Sequence, residues 1–141
     1  MFSRHKPFKY FRYLLNRCCF FEEVNKKTIR RWVSKLTPEL FARLMVVQRA
    51  DINAQSDYHK EQKEQVLNET KRLFEEIIEE KNCLSIKELK INGKDLMDMG
   101  VPQGKEIGEI LSWLLDQVLE RPVLNERETL IAMVKEKRDE Q

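Results

Sequence analysis

The sequence predicts an all-α protein, an irregular multi-helix array of short and medium helices in which a long helix joins two subdomains. Three observations lead there. Turn formers are scarce, with 4 Gly and 4 Pro in 141 residues. A sandwich or barrel needs a turn about every 8–12 residues. Apolar residues recur three and four apart through most of the chain, the spacing of one helix face. Helix start and stop signals punctuate these stretches. The length allows one domain or two very small ones.

The elements follow in order. Lys6 to Phe21 carries Phe8, Phe11, Leu14, Leu15 and Cys18 at helical spacing, with Arg4, Lys6, Lys9, Arg12 and Arg17 between the aromatics. That pattern fits a buried amphipathic stripe, or aromatics and cations that engage a nucleic acid. Asn25 is an N-cap for a helix to about Leu36, with Ile29, Trp32, Val33 and Leu36 as its apolar face. Lys26, Lys27, Arg30, Arg31 and Lys35 crowd the rest of it without an acid. Like charges four apart repel, and a phosphate backbone alongside would relieve them. Thr37-Pro38-Glu39 opens the next helix, which runs to about Gln55. Within it Arg49 and Asp51, beside Ala50 and Ala54, are expected to bond to a neighbouring helix. Ser56 or Asp57 caps a long helix to about Lys81, and His59 lies on its polar first half.

The pattern then shortens. Ser85-Ile86-Lys87-Glu88 has capping-box form. Ile91-Asn92-Gly93 reads as a turn. Asp95 to Met99 makes a short helix closed by Gly100. Lys105 opens a strong helix with Ile107, Ile110, Leu111, Leu114, Leu115 and Val118 on one face. Gly108 on the same side predicts close approach of a neighbour. Arg121-Pro122 ends that helix. Asn125-Glu126-Arg127-Glu128 starts the last one, whose tail from Lys135 to Gln141 is expected to fray.

Charge divides the chain. The formal net charge is +2, yet residues 1–49 hold 12 Lys/Arg and 3 Asp/Glu, against 14 and 21 in residues 50–141. A basic half of this kind meets a polyanion or packs on its acidic counterpart. No apolar run approaches the roughly 20 residues of a membrane span; the best, Leu40 to Val47, is broken by Arg43. The basic N-terminus has no acid before Glu22, as in a transit peptide, but its aromatics favour a docked helix. Cys18, Cys19 and Cys83 offer neither a disulfide framework nor a zinc spacing. A reducing cytoplasm is the expected location.

Leu89 to Leu111 is the most specific stretch: helix, tight turn, helix, glycine loop, helix. The Gly104-Lys105 junction presents unpaired N–H groups at a helix start, an anion-binding arrangement, and Lys87, Lys90, Lys94 and Lys105 are candidates to surround it. The alternative is that the glycines serve helix packing alone.

This stretch includes Gly93-Lys94-Asp95-Leu96, Gly104 and Ile107-Gly108. With Arg49-Ala50-Asp51 and Ala54-Gln55 upstream and Pro122 to Asn125 downstream, it closely resembles the C-terminal body and tail of bacterial tRNA nucleotidyltransferases. These are the CCA-adding enzymes, relatives of bacterial poly(A) polymerase. The resemblance covers about Asn25 to Glu136. It implies a body-like region at 25–80 and a tail-like region at 81–141, with residues 1–24 a separate basic and aromatic segment. It implies that the chain holds the backbone of tRNA on its acceptor-stem and elbow side. It also implies that nucleotidyl transfer, with Mg²⁺ and CTP or ATP, belongs to a catalytic head domain. The head's motifs, Gly-Ser followed by Asp-x-Asp and Glu-Asp-x-x-Arg, do not occur in this sequence. The expected partners are therefore tRNA and that head, with no membrane, no cofactor and no catalytic residue in this chain. The expected RNA contacts are Lys27, Arg30, Arg31, Lys35, Lys87, Lys90, Lys94, Gly104 and Lys105. Asp95 to Val101, followed by a glycine and Ile-x-x-Leu, also resembles a SAM domain, a helical protein-interaction module. That alternative accounts for about residues 65–118 and leaves the basic helix and Arg49-Ala50-Asp51 unexplained.

Overall fold

The computed structural model describes residues 24–54 and 59–140. The predicted Lys6–Phe21 helix, with Cys18 and Cys19, and the Ser56 or Asp57 cap lie outside them. Every regular element among the described residues is helical. They are α1 (Lys26–Leu36), α2 (Pro38–Ala54), α3 (Lys60–Glu79), a single 3₁₀ turn (Ile86–Glu88), α4 (Gly93–Asp98), α5 (Lys105–Glu120), a second 3₁₀ turn (Pro122–Leu124) and α6 (Arg127–Asp139). The described residues form two compact units, divided between Ile78 and Glu79.

In the first unit Asn25 caps α1 as expected, its Oδ1 accepting from Thr28 N–H at 2.9 Å. One residue, Thr37, joins α1 to α2. Its N–H donates to Val33 O at 2.8 Å and closes α1. Its Oγ1 accepts from Leu40 N–H at 3.4 Å and opens α2. Doing both forces φ to 87°, a region β-branched residues rarely occupy, at a cost of about 1–3 kcal/mol. Pro38 follows at the first helical position, where an N–H is not needed.

The core of this unit uses the 3–4 spacing of each helix: Ile29, Val33 and Leu36; Phe41, Leu44, Met45 and Ile52; Leu67, Leu73 and Ile77. The Phe41 and Phe74 rings lie 5.1 Å apart, and Arg49 donates to Asn68. As numbering rises along α2 it falls along α3, so the two helices are antiparallel. The Arg49 bond is the helix-to-helix contact expected from sequence. Gln48 is buried in the same row, and its Nε2 has no hydrogen-bond partner.

In the second unit, the Ser85–Glu88 box forms in altered shape. Glu88 reaches back to accept from Leu84 N–H at 2.8 Å and from Ser85 Oγ at 3.0 Å, and the Ser85 side chain caps no backbone group. Asn92-Gly93 is not a free turn, contrary to expectation. Asn92 Oδ1 accepts from Asp95 N–H at 3.1 Å, and Asp95 Oδ2 accepts from Asn92 N–H at 2.9 Å. This reciprocal box starts α4 at Gly93, two residues early. Gly100 ends it with φ +84°. Gly100 N–H donates to Met97 O at 2.9 Å and Val101 N–H to Leu96 O at 3.0 Å. That is a Schellman pair, and both Leu96 and Val101 are buried.

The core of this unit gathers Ile110, Leu114 and Val118 of α5 with Leu130 and Val134 of α6, over Leu89, Ile91, Leu96 and Val101. Two expectations are corrected. Among the described residues, a Cβ on Gly108 would meet nothing within 4 Å. The close approach is at Gly93, where a Cβ would come within 3.2 Å of Ile107 Cγ2. The tail is also more ordered than expected, with α6 regular to Asp139. Arg138 donates to Met99 O at 2.7 Å and Gly100 O at 3.2 Å, which ties α6 to the end of α4.

Candidate nucleic-acid interface

The predicted cations fall on both units. On α1, Lys27, Arg31 and Lys35 are spaced four apart and so share one stripe. Arg31 and Lys35 are exposed, and Lys27 is half-buried. Arg30, by contrast, is only 7% exposed, because position 30 adjoins Ile29 and Val33 on the face that turns inward. Its guanidinium is not displayed on the outer surface.

The chain itself answers part of the repulsion along α1. Lys26 Nζ lies 2.9 Å from Glu76 Oε2 on α3. Lys26, Lys27, Arg30 and Arg31 all have interactions within the chain. Glu76 also meets Arg72. Arg72 holds Glu69 as well, and that hydrogen bond draws the Glu69 carboxyl below its ordinary range.

In the second unit, Lys87, Lys90, Lys94, Gly104 and Lys105 are all exposed. The segment Glu88–Lys90 is clamped by Asn125, whose Oδ1 accepts from Lys90 N–H at 3.0 Å while its Nδ2 donates to Glu88 O at 3.1 Å. Sequence patterning made Asn125 a helix-start residue, but it acts as a staple across 35 residues. The helix start falls to Glu126, whose side chain makes no cap.

Lys94 follows Gly93, which abuts Ile107 in the first turn of α5. Lys94 and Lys105 therefore sit on touching elements. Asp95 is gripped by Arg127 at 2.6 Å. That bond, then the Asn92 N–H, holds its carboxyl below the usual range.

Gly104 starts α5 with φ +135° and no side-chain cap. Glycine has no side chain with which to bond the first N–H groups of α5, and the adjoining Lys105 side chain is 90% exposed and 3.4 Å from Glu109. Such a helix start favours negative charge.

Sequence reasoning missed a second feature of α5. Trp113 is partly buried, and Lys137 Nζ lies 4.3 Å from its ring centroid. The two residues belong to different helices, so no local pattern announces the pair. Among the described residues, no group of three or more His, Cys, Asp or Glu is arranged to hold a metal ion. No described helix is long and apolar enough to cross a membrane.

Comparison with known proteins agrees with the resemblance seen in sequence. The family model of tRNA nucleotidyltransferase domain 2 matches residues 44–134. That span takes in Arg49-Ala50-Asp51, which the SAM-like alternative leaves out. A 52-residue stretch is 46% identical to the CCA-adding enzyme of Ligilactobacillus salivarius (strain UCC118), covering 36% of this chain and 13% of that protein. No solved structure gives a significant match. With well over half of its residues matched, the chain belongs to the tRNA nucleotidyltransferase domain 2 family.

Proposed function

We propose that this chain holds tRNA by its sugar–phosphate backbone, as the body and tail part of a tRNA nucleotidyltransferase that works on tRNA 3′ ends in the cytoplasm. The observation that carries the proposal is the display of Lys87, Lys90, Lys94 and Lys105 on exposed positions of a clamped framework, inside the family-matched region. Cations fixed in this way position a phosphate backbone without reading bases. Lys27, Arg31 and Lys35 form a second cationic stripe. Arg30 leaves the proposed set because it is buried. Nucleotidyl transfer, with Mg²⁺ and CTP or ATP, falls in this proposal to a catalytic head.

The test is fluorescence anisotropy with labelled tRNA lacking its 3′ CCA, titrated from 50 to 200 mM salt. Each phosphate neutralised contributes about −0.9 to the slope of log K against log salt for a duplex. A slope of about −4 or steeper is expected from the exposed cations. Changing Lys87, Lys90 and Lys94 together to Glu flattens it by about 3. A salt-independent titration overturns the proposal. Given the same tRNA, CTP, ATP and Mg²⁺, the chain alone adds nothing; observed addition would place an active site within it.

A further inference from the structure

A shallow groove of about 630 Å³ runs along α5, lined by Lys105, Gly108, Glu109, Ser112, Trp113 and Asp116. It is not a phosphate site. Its walls carry two carboxylates against one ammonium, and that ammonium already lies 3.4 Å from Glu109 Oε1. Gly108 forms part of the wall and is anomalous. Glycine is among the least favourable residues inside a helix. Among the described residues nothing approaches within 4 Å of the position its Cβ would take, so packing among them does not require it. What Gly108 leaves is a flat approach to the helix backbone beside Trp113. The Trp113 ring is held in place by Lys137 Nζ, 4.3 Å from its centroid.

An aromatic wall, a side-chain-free approach and carboxylates that accept hydrogen bonds fit a flat, uncharged ligand bearing N–H donors. A nucleobase is such a ligand. Unpaired bases in RNA are bound by stacking on aromatic side chains and by hydrogen bonds to their edges. We propose that this groove takes one unpaired base of the bound RNA, stacked against the Trp113 ring where it lines the groove. An exocyclic amino group of the base then donates to Glu109 or Asp116. This rests on the RNA-holding function proposed above and adds to it a contact with a base. Lys and Arg on the backbone set affinity; this pocket adds a requirement for an unstacked nucleotide.

The test uses the full chain with Trp32→Phe, which leaves Trp113 as the sole tryptophan. Labelled tRNA lacking its 3′ CCA is titrated while anisotropy and Trp113 emission are read together. The expected result is quenching of Trp113 that saturates with the anisotropy. Gly108→Gln, which meets no steric obstacle and improves helix propensity, weakens tRNA binding about tenfold without lowering the melting temperature. Trp113→Leu loses about tenfold or more, and Trp113→Phe restores most of it. If tRNA binds by anisotropy while Trp113 emission is unchanged and Gly108→Gln binds as well as its parent, the base pocket is wrong and RNA holding stands. If labelled tRNA gives no anisotropy change with the unsubstituted chain, RNA holding is wrong and the pocket falls with it.

Discussion

Gly100→Ala isolates the backbone contribution of a single helix end. Gly100 sits at φ +84° as the residue that closes α4. A Cβ there would come no closer than 3.7 Å to any atom outside its chain neighbours, the nearest being Arg138 Nη1. Sterics from the rest of the fold therefore contribute almost nothing. What remains is the clash of a Cβ with its own backbone in the left-handed region, about 1–2 kcal/mol. The Schellman bonds from Gly100 N–H and Val101 N–H survive, so no further loss is expected. A unit of this size shifts its melting temperature by about 4–8 °C per kcal/mol. The assay is urea and thermal unfolding followed by Trp113 emission in the Trp32→Phe protein, which reports the unit containing Gly100. Gly100→Asn, whose side chain tolerates the left-handed region, should recover about half of the loss. Gly108→Ala is the opposite control, expected to stabilise by about 0.5–1 kcal/mol because its Cβ points into open space. A Gly100→Ala protein as stable as its parent, or one destabilised no more than Gly100→Asn, would overturn this account of the helix end.

Other outcomes follow from single contacts. Asn125→Ala removes two hydrogen bonds at once, and unfolding should show a loss of about 1–2 kcal/mol. Gln48→Met replaces a buried amide whose Nε2 is unpaired, and should raise stability by about 1 kcal/mol in the same urea assay. Arg127 holds the Asp95 carboxyl below its ordinary value, so this pair contributes fully above about pH 4 and less as pH falls through the lowered value. Arg127→Met should therefore flatten the acid limb of stability against pH without changing the alkaline limb. Burial pushes the Cys83 thiol up to about 11. Its contribution is complete below about pH 8.5 and is lost as pH rises toward that raised value. A thiol reagent at pH 8 should react with Cys83 only as fast as the unit opens.

Local pattern was enough for much of the fold. Asn25, Thr37-Pro38 and Gly100 mark helix ends because capping chemistry acts within three or four residues, and those residues are adjacent in sequence. Of the apolar run Leu40, Phe41, Leu44, Met45 and Val47 in α2, the structure buries Phe41, Leu44 and Met45 and leaves Leu40 and Val47 46% and 45% exposed, so apolar character alone did not fix which face of α2 turns inward. The ordered set from Arg49-Ala50-Asp51 to Asn125 was sufficient for the family.

The site was less legible. Arg30 and Arg31 are chemically alike and adjacent, and only packing decides that one is buried and the other exposed. Asn92-Gly93 reads as a turn until Asp95 folds back on it. Asn125 has the composition of a cap, yet its partners are Glu88 and Lys90, 37 and 35 residues away. Gly93 and Gly108 carry the same local signal; Ile107 crowds the first and nothing crowds the second. Composition, spacing and capping thus specified helices and kinship, because those depend on interactions along the chain. Which charges reach solvent, which loop is clamped and where Trp113 borders a groove depend on contacts between distant segments, whose free energy is set only when the helices pack.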